Sequence, residues 1–176
     1  MTRTSSPSSS LSQATSPHNV ARTSCVYPVL RNITSTYAGQ LRDLPLPRRV
    51  DVASRLAASL LGPEWYAPEG THRWMPKRAS LRMAGPTAAG QKLYLRGHYP
   101  PEQLRAGPLT VSVTVNGTPL APAILASGGD FALVFPLPDS LVGQSAIEIV
   151  VEVGRTFRAG ADIRDLGLAF GEFEVR

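Results

Sequence analysis

The chain has 176 residues, is 43% hydrophobic and carries a formal net charge of +5, which is enough to bury one proper core but not two full-sized ones. Its cations are nearly all arginines, scattered singly apart from the pair Arg48-Arg49, whereas nucleic-acid proteins gather positive charge into a stripe with interleaved aromatics; nucleic acid is therefore not an expected partner. A single cysteine, Cys25, excludes an intrachain disulfide and any multi-cysteine zinc site.

Residues 1–24 are rich in serine, threonine and proline with few large apolar groups, a composition that cannot bury enough surface to offset the entropy of ordering. A disordered tail is expected there. It contains no continuous apolar core like that of a signal peptide, and no later run reaches the length of a membrane span. The expectation is a soluble, cytoplasmic protein without a membrane span. Asn32-Ile33-Thr34 and Asn116-Gly117-Thr118 match the glycosylation sequon but have no export signal to give them meaning.

Residues 25–61 read as an extension. Val26, Tyr27, Val29, Leu30 and Ile33 suit either a strand or a turn, and Pro45 and Pro47 keep the following segment extended. A short helix is predicted over 51–61, with Asp51 as N-cap and Gly62-Pro63 as its stop. Val52, Leu56 and Leu60 would line one face, widened by Ala53, Ala57 and Leu61, to pack on the main domain or on a partner.

From 62 to 176 the pattern is that of strands. Ala79, Leu81 and Met83 alternate with polar residues, as do Leu93 and Leu95, and turn signals at Gly85-Pro86 and Ala89-Gly90 suggest that the two runs pair. Leu109, Val111, Val113 and Val115 alternate with Thr110, Ser112 and Thr114, the mark of one buried and one wet face. Asn116-Gly117 then supplies the positive φ angles of a tight hairpin. Phe131, Leu133 and Phe135 make a strand closed by Pro136 and Pro138, and Ile147, Ile149, Val151 and Val153 make another with Glu148 and Glu152 facing water. In the last run Leu168 and Phe170 fall out of step with Phe173 and Val175, which predicts a β-bulge at Gly171. Roughly seven or eight strands in about 100 residues define an all-β, two-sheet antiparallel β-sandwich, jelly-roll or Ig-like.

No nucleophile motif accompanies His18, His72 or His98, and no phosphate-cradling loop, dinucleotide fingerprint or metalloprotease helix is present. The protein is expected not to be an enzyme and to need no cofactor or metal. Asp162 and Asp165 could serve as a glycosidase carboxylate pair, or with Asp130 as calcium donors. Arg164 between the two aspartates points instead to a charge-paired loop latch built on Arg164 and Asp165.

The aromatic group Trp65, Tyr66, Trp74 and Tyr99, with Arg73, Glu69 and His98 near it in sequence, is the candidate ligand site. Flat aromatic faces accept the C–H surfaces of sugar rings while polar neighbours bond hydroxyls. The competing reading, favoured by the size of tryptophan, is that Trp65, Tyr66 and Trp74 close one end of the core and that a carboxylate such as Asp165 neutralises Arg73.

Trp65-Tyr66-Ala67-Pro68-Glu69 with Arg73-Trp74-Met75, the hairpin Val113-Thr114-Val115-Asn116-Gly117, and Arg155-Thr156-Phe157-Arg158 with Asp162-Ile163-Arg164-Asp165-Leu166-Gly167 together resemble a bacterial β-sandwich accessory module. That module is appended to, or encoded with, glycosyltransferases and other enzymes of surface-polysaccharide synthesis. The resemblance covers about residues 62–176 and implies a non-catalytic domain that binds glycan or a glycosyltransferase or other polysaccharide-synthesis protein. The alternative expectation is a structural protein–protein interaction domain without affinity for sugar.

Overall fold

The computed structural model describes residues 45–176; the predicted tail at 1–24 and the ambiguous stretch up to residue 44 lie outside them. The described strands are β1 (Arg49–Asp51), β2 (Pro68–Glu69), β3 (His72–Trp74), β4 (Arg78–Met83), β5 (Lys92–Tyr99), β6 (Leu109–Val115), β7 (Thr118–Pro119), β8 (Ala123–Leu125), β9 (Gly129–Pro136), β10 (Ile147–Val153) and β11 (Ala169–Val175). They form two antiparallel sheets, so the domain is an all-β sandwich. One sheet has six strands, with β2-β3-β11-β5-β9 in order and β1 also against β11; the other has five, with β4-β10-β6-β7 in order and β8 against β6.

The alternation read from the sequence sets which face is buried. In β6 and β10 Leu109, Val111, Val113, Val115, Ile147, Ile149, Val151 and Val153 point inward, while Thr110, Ser112, Glu148 and Glu152 stay exposed. From the other sheet Leu93, Leu95, Phe135, Phe170 and Phe173 meet them in the core. Asn116 (φ 49°) and Gly117 (φ 79°) make the expected tight turn between β6 and β7.

Three expectations change. The runs at Ala79–Met83 and Leu93–Leu95 do not pair: β4 lies against β10 in one sheet, and β5 lies between β11 and β9 in the other. Alternation shows that both strands face one core and is silent on whether they sit side by side or across it. The predicted helix is only a five-residue 3₁₀ turn, Arg55–Ser59, and its cap is Ser54, whose hydroxyl accepts from Leu56 N–H. Asp51 belongs to β1 and caps Ala53 N–H instead. With three residues per turn, Ala57 and Leu60 turn inward and Leu56 is 90% exposed. Finally, the sandwich starts before residue 62, because β1 pairs with β11 and buries Val50.

The same segment closes one side of the sandwich. Val52 N–H donates to Gly171 O on the six-stranded sheet, whereas Gly62 N–H donates to Ser80 O and Leu60 O accepts from Arg82 N–H on the five-stranded one. The 3₁₀ turn thus bridges the two sheets and covers the β4 edge. Trp65 fills the space beneath: its indole N–H donates to Ser80 O at 2.7 Å, and its rings meet Phe170 and Phe173 edge-on at 6.1 and 6.2 Å.

Trp65→Ala is expected to cost about 3–5 kcal/mol by urea denaturation, the usual loss for a buried aromatic. A loss below about 1 kcal/mol would place the indole outside the core.

Candidate ligand site

The irregularity at Gly171 shapes the outer face of the six-stranded sheet. Phe170 pairs with Gly97, but the next paired residue is Glu172, opposite Arg96, so Gly171 is the extra residue of a bulge. The bulge restores the inward direction for Phe173 after Phe170 and turns Glu172 to the outer face. Gly171 lies close under β3, where an added Cβ would sit 3.3 Å from Thr71 O. Gly97 is more tightly constrained, since a Cβ there would collide with Ala169 O and the Phe131 ring.

Around this bulge the outer face is concave. One depression of about 450 Å³ is walled by Arg96, His98, Asp130 and His72, and one of about 480 Å³ by Asp51, Ala53, Ser54 and Gly70. Thr71, Gly171 and Glu172 line both, so the two depressions form one trough. Both volumes fall within the range of small-molecule sites.

The trough is rich in hydrogen-bonding groups. His98 Nδ1 donates to Asp130 Oδ1 at 2.8 Å, which leaves the second ring nitrogen as an acceptor in the neutral ring. Glu172 holds Arg49 through Oε2, with Nε at 2.6 Å, while Arg96 Nη1 stands 3.3 Å from Oε1. That second approach is off the hydrogen-bonding axis, and Oε1 is buried without a hydrogen-bond partner. Arg96 is half exposed. Trp74 and His98 both pair in register with Ala169, from opposite sides, so the two rings flank it on the same outer face. Trp74 is half-buried and meets His72 edge-on at 5.9 Å.

The residues proposed from sequence do not form one platform. Trp65 and Tyr99 are core residues, 8% and 1% exposed, because each points inward from its backbone position. Arg73 also points inward, at 8% exposure, and donates from Nε to Val52 O at 2.8 Å. It stitches the β1 segment to β3, and Asp165 does not neutralise it. Tyr66 lies with the charged loop, its hydroxyl donating to Asp165 O at 3.1 Å. Of the four aromatic residues proposed, none lines the trough; Trp74 comes near it through its contact with His72. Arg96, Asp130, Thr71 and Glu172, which the aromatic argument omits, line it together with His98; the period shift at Gly171 was the sequence signal for that location.

Arg164 is a latch, but not toward Asp165. The chain bends here, Asp162 Oδ1 accepting from Arg164 N–H at 2.9 Å, so Arg164 meets Asp162 two positions away, with Nη2 2.6 Å from Oδ2, and reaches Glu69 Oε1 at 2.7 Å. It also covers the Tyr66 ring at 5.2 Å. Asp165 turns the other way and accepts from Arg158 Nε at 2.9 Å. Hydrogen bonds from Arg164 and Arg158 hold the carboxyls of Asp162 and Asp165, respectively, below the usual carboxylate range. A general acid requires the opposite shift, so this pair is not arranged as a glycosidase acid and partner. Among the described residues, no three His, Cys, Asp or Glu side chains gather as a metal site, and no helix is long and apolar enough to cross a membrane.

No family model matches the chain, and no curated protein does. Among solved structures, it is similar to a family GH115 4-O-methyl-α-glucuronidase with specificity for decorated arabinogalactans, at 13% identity and a TM-score of 0.45 over 76% of this chain. It spans 18% of that enzyme's length. It is also similar to the CBM36-1 domain of a multidomain xylanase from the hindgut metagenome of Trinervitermes trinervoides, at 12% identity and a TM-score of 0.33 over 55% of this chain and 68% of that one. These similarities are too distant to transfer a ligand or an activity.

Because Asp162 and Asp165 have lowered pKa values in the folded state, their contribution is complete above the unfolded carboxylate pKa of about 3.9 and is lost as pH falls through the folded values. Melting temperature is expected to drop below about pH 4, and less steeply in Asp162→Asn. An identical acid limb in the variant would contradict the assignment. Asp165→Ala frees only the exposed Arg158 and is expected to shift the melting temperature less than Arg164→Ala, which releases both Glu69 and Asp162.

Proposed function

We propose that the domain is a non-catalytic binding module that takes carbohydrate in the trough on the outer face of its six-stranded sheet. The observation that carries this reading is the concentration of mixed donors and acceptors around the Gly171 bulge. A sugar hydroxyl both donates and accepts, so it fits a surface that offers Arg96 N–H groups, the free His98 nitrogen and the carboxylates of Asp130 and Glu172 within one depression. Trp74, half-buried beside His72, is placed to stack against a ring at the rim. The resemblance to modules encoded with polysaccharide-synthesis enzymes supports the same ligand class, and a glycosyltransferase is the partner it suggests.

The alternative, a protein-docking domain without affinity for sugar, draws on Leu56. This 90% exposed side chain borders a groove of about 210 Å³ that includes Pro47, Val50, Ala57 and Leu60. Its partner would bury Leu56 and leave the trough open.

A glycan array probed with the wild-type domain and with Arg96→Ala, His98→Ala and Trp74→Ala separates the two. Binding is expected in the wild type and to fall at least about tenfold in His98→Ala, the loss of roughly one good hydrogen bond to a charged or polarised group, with circular dichroism unchanged. Wild-type affinity in all three folded variants would remove the trough from the account. If no glycan bound while Leu56→Asp abolished capture of a native protein partner, the docking reading would replace it.

A further inference from the structure

The form of the trough bears on which part of a glycan it holds. The two depressions share Thr71, Gly171 and Glu172 and continue to opposite sides of the bulge, toward Asp130 on β9 and toward Asp51 on β1. Between those limits the surface crosses β9, β5, β11 and β1, adjacent in that order. Three interstrand spacings make roughly 14 Å, longer than one sugar ring. Gly171 itself adds no side chain at the crossing point, where Thr71 and Glu172 form the walls shared by the two halves.

A site that recognises a chain end closes around one terminal ring. Here neither depression is enclosed, and each is of a size to hold a ligand unit by itself. We infer that the trough binds an internal stretch of a linear, hydroxyl-rich polysaccharide lying across the strands, with at least one ring on each side of Gly171. This inference rests on the carbohydrate reading above.

The half beyond the bulge is polar but carries fewer charged partners. Asp51 is engaged in capping Ala53 N–H and Ser54 in capping the 3₁₀ turn, so this half supplies space and backbone contacts more than side-chain bonds. The anchoring contacts fall to Arg96, His98 and Asp130, and the second half adds affinity only when a ligand is long enough to reach it. Ala53 lines this second half and is free of the anchoring contacts, so Ala53→Phe fills it without touching them.

The test is isothermal titration of the wild type and Ala53→Phe with mono-, di- and hexasaccharides of glucose, xylose, mannose and galactose. Hexasaccharide affinity is expected to exceed monosaccharide affinity by at least about tenfold. In Ala53→Phe that gain should disappear while the affinity for the short ligand stays. Equal affinity for monosaccharide and hexasaccharide would overturn the internal-chain inference and leave the carbohydrate reading standing. A length gain that persists in Ala53→Phe would also overturn it, by putting the extra contacts elsewhere. No binding by any saccharide would overturn both.

Discussion

The extra residue at Gly171 is the constraint on which the remaining structure depends. Strand β11 is the hub of the six-stranded sheet, paired with β5 on one side and with both β1 and β3 on the other. Without the bulge, Phe170 and Phe173 could not both face the core, because three steps along a regular strand reverse the side. With it, both rings are buried against Trp65, and Glu172 emerges between Arg49 and Arg96. The same residue that completes the core therefore leaves a gap in the outer surface and sets charged groups around it.

Different groups of polar residues fasten the chain and line the trough. Arg73, Arg155 and Arg164 fasten segments of chain: Arg73 to Val52 O, Arg155 to the carbonyls of Pro108 and Gly107, and Arg164 to Asp162 and Glu69. Their donors are directed at the protein itself. Arg96 and His98, by contrast, are half exposed and face the trough. Buried Glu172 Oε1 joins the two groups: its partner oxygen secures Arg49, and it is itself left without a hydrogen bond. A buried acceptor without a hydrogen bond is costly, and the Arg96 guanidinium 3.3 Å away offsets part of that cost electrostatically.

Much of the sandwich was legible because β6, β10 and the two halves of β11 alternate cleanly, and because Asn116-Gly117 and the period shift at Gly171 each have a specific backbone meaning. Sheet membership was not legible: β4 and β5 carry the same alternation whether they pair or face each other. Nor was β1, where three residues are too few to show a period. The helix over 51–61 failed because both of its ends are drawn onto the sheets, Val52 N–H to Gly171 O and Leu60 to Gly62 along β4, which leaves only about two turns of 3₁₀ geometry between them. At the site, aromatic composition drew attention to Trp65 and Tyr99, but Tyr99 is placed inside by its parity on β5 and Trp65 by the loop before β2, which sets its indole N–H on Ser80 O. Residues of the trough come from β1, β3, β5, β9 and β11 and the turns beside them, and only the fold assembles them.

The central claim is tested most directly by mapping the surface that a bound glycan touches, with backbone amide chemical shifts followed as an oligosaccharide is added to the labelled domain. The account predicts that the perturbed amides cluster at Thr71, His72, Arg96 to His98, Asp130, Gly171 and Glu172, with the Trp65 indole signal unmoved. Perturbation centred instead on Trp65, Tyr66 and the loop at 162–165, or confined to the 3₁₀ turn around Leu56, would contradict it.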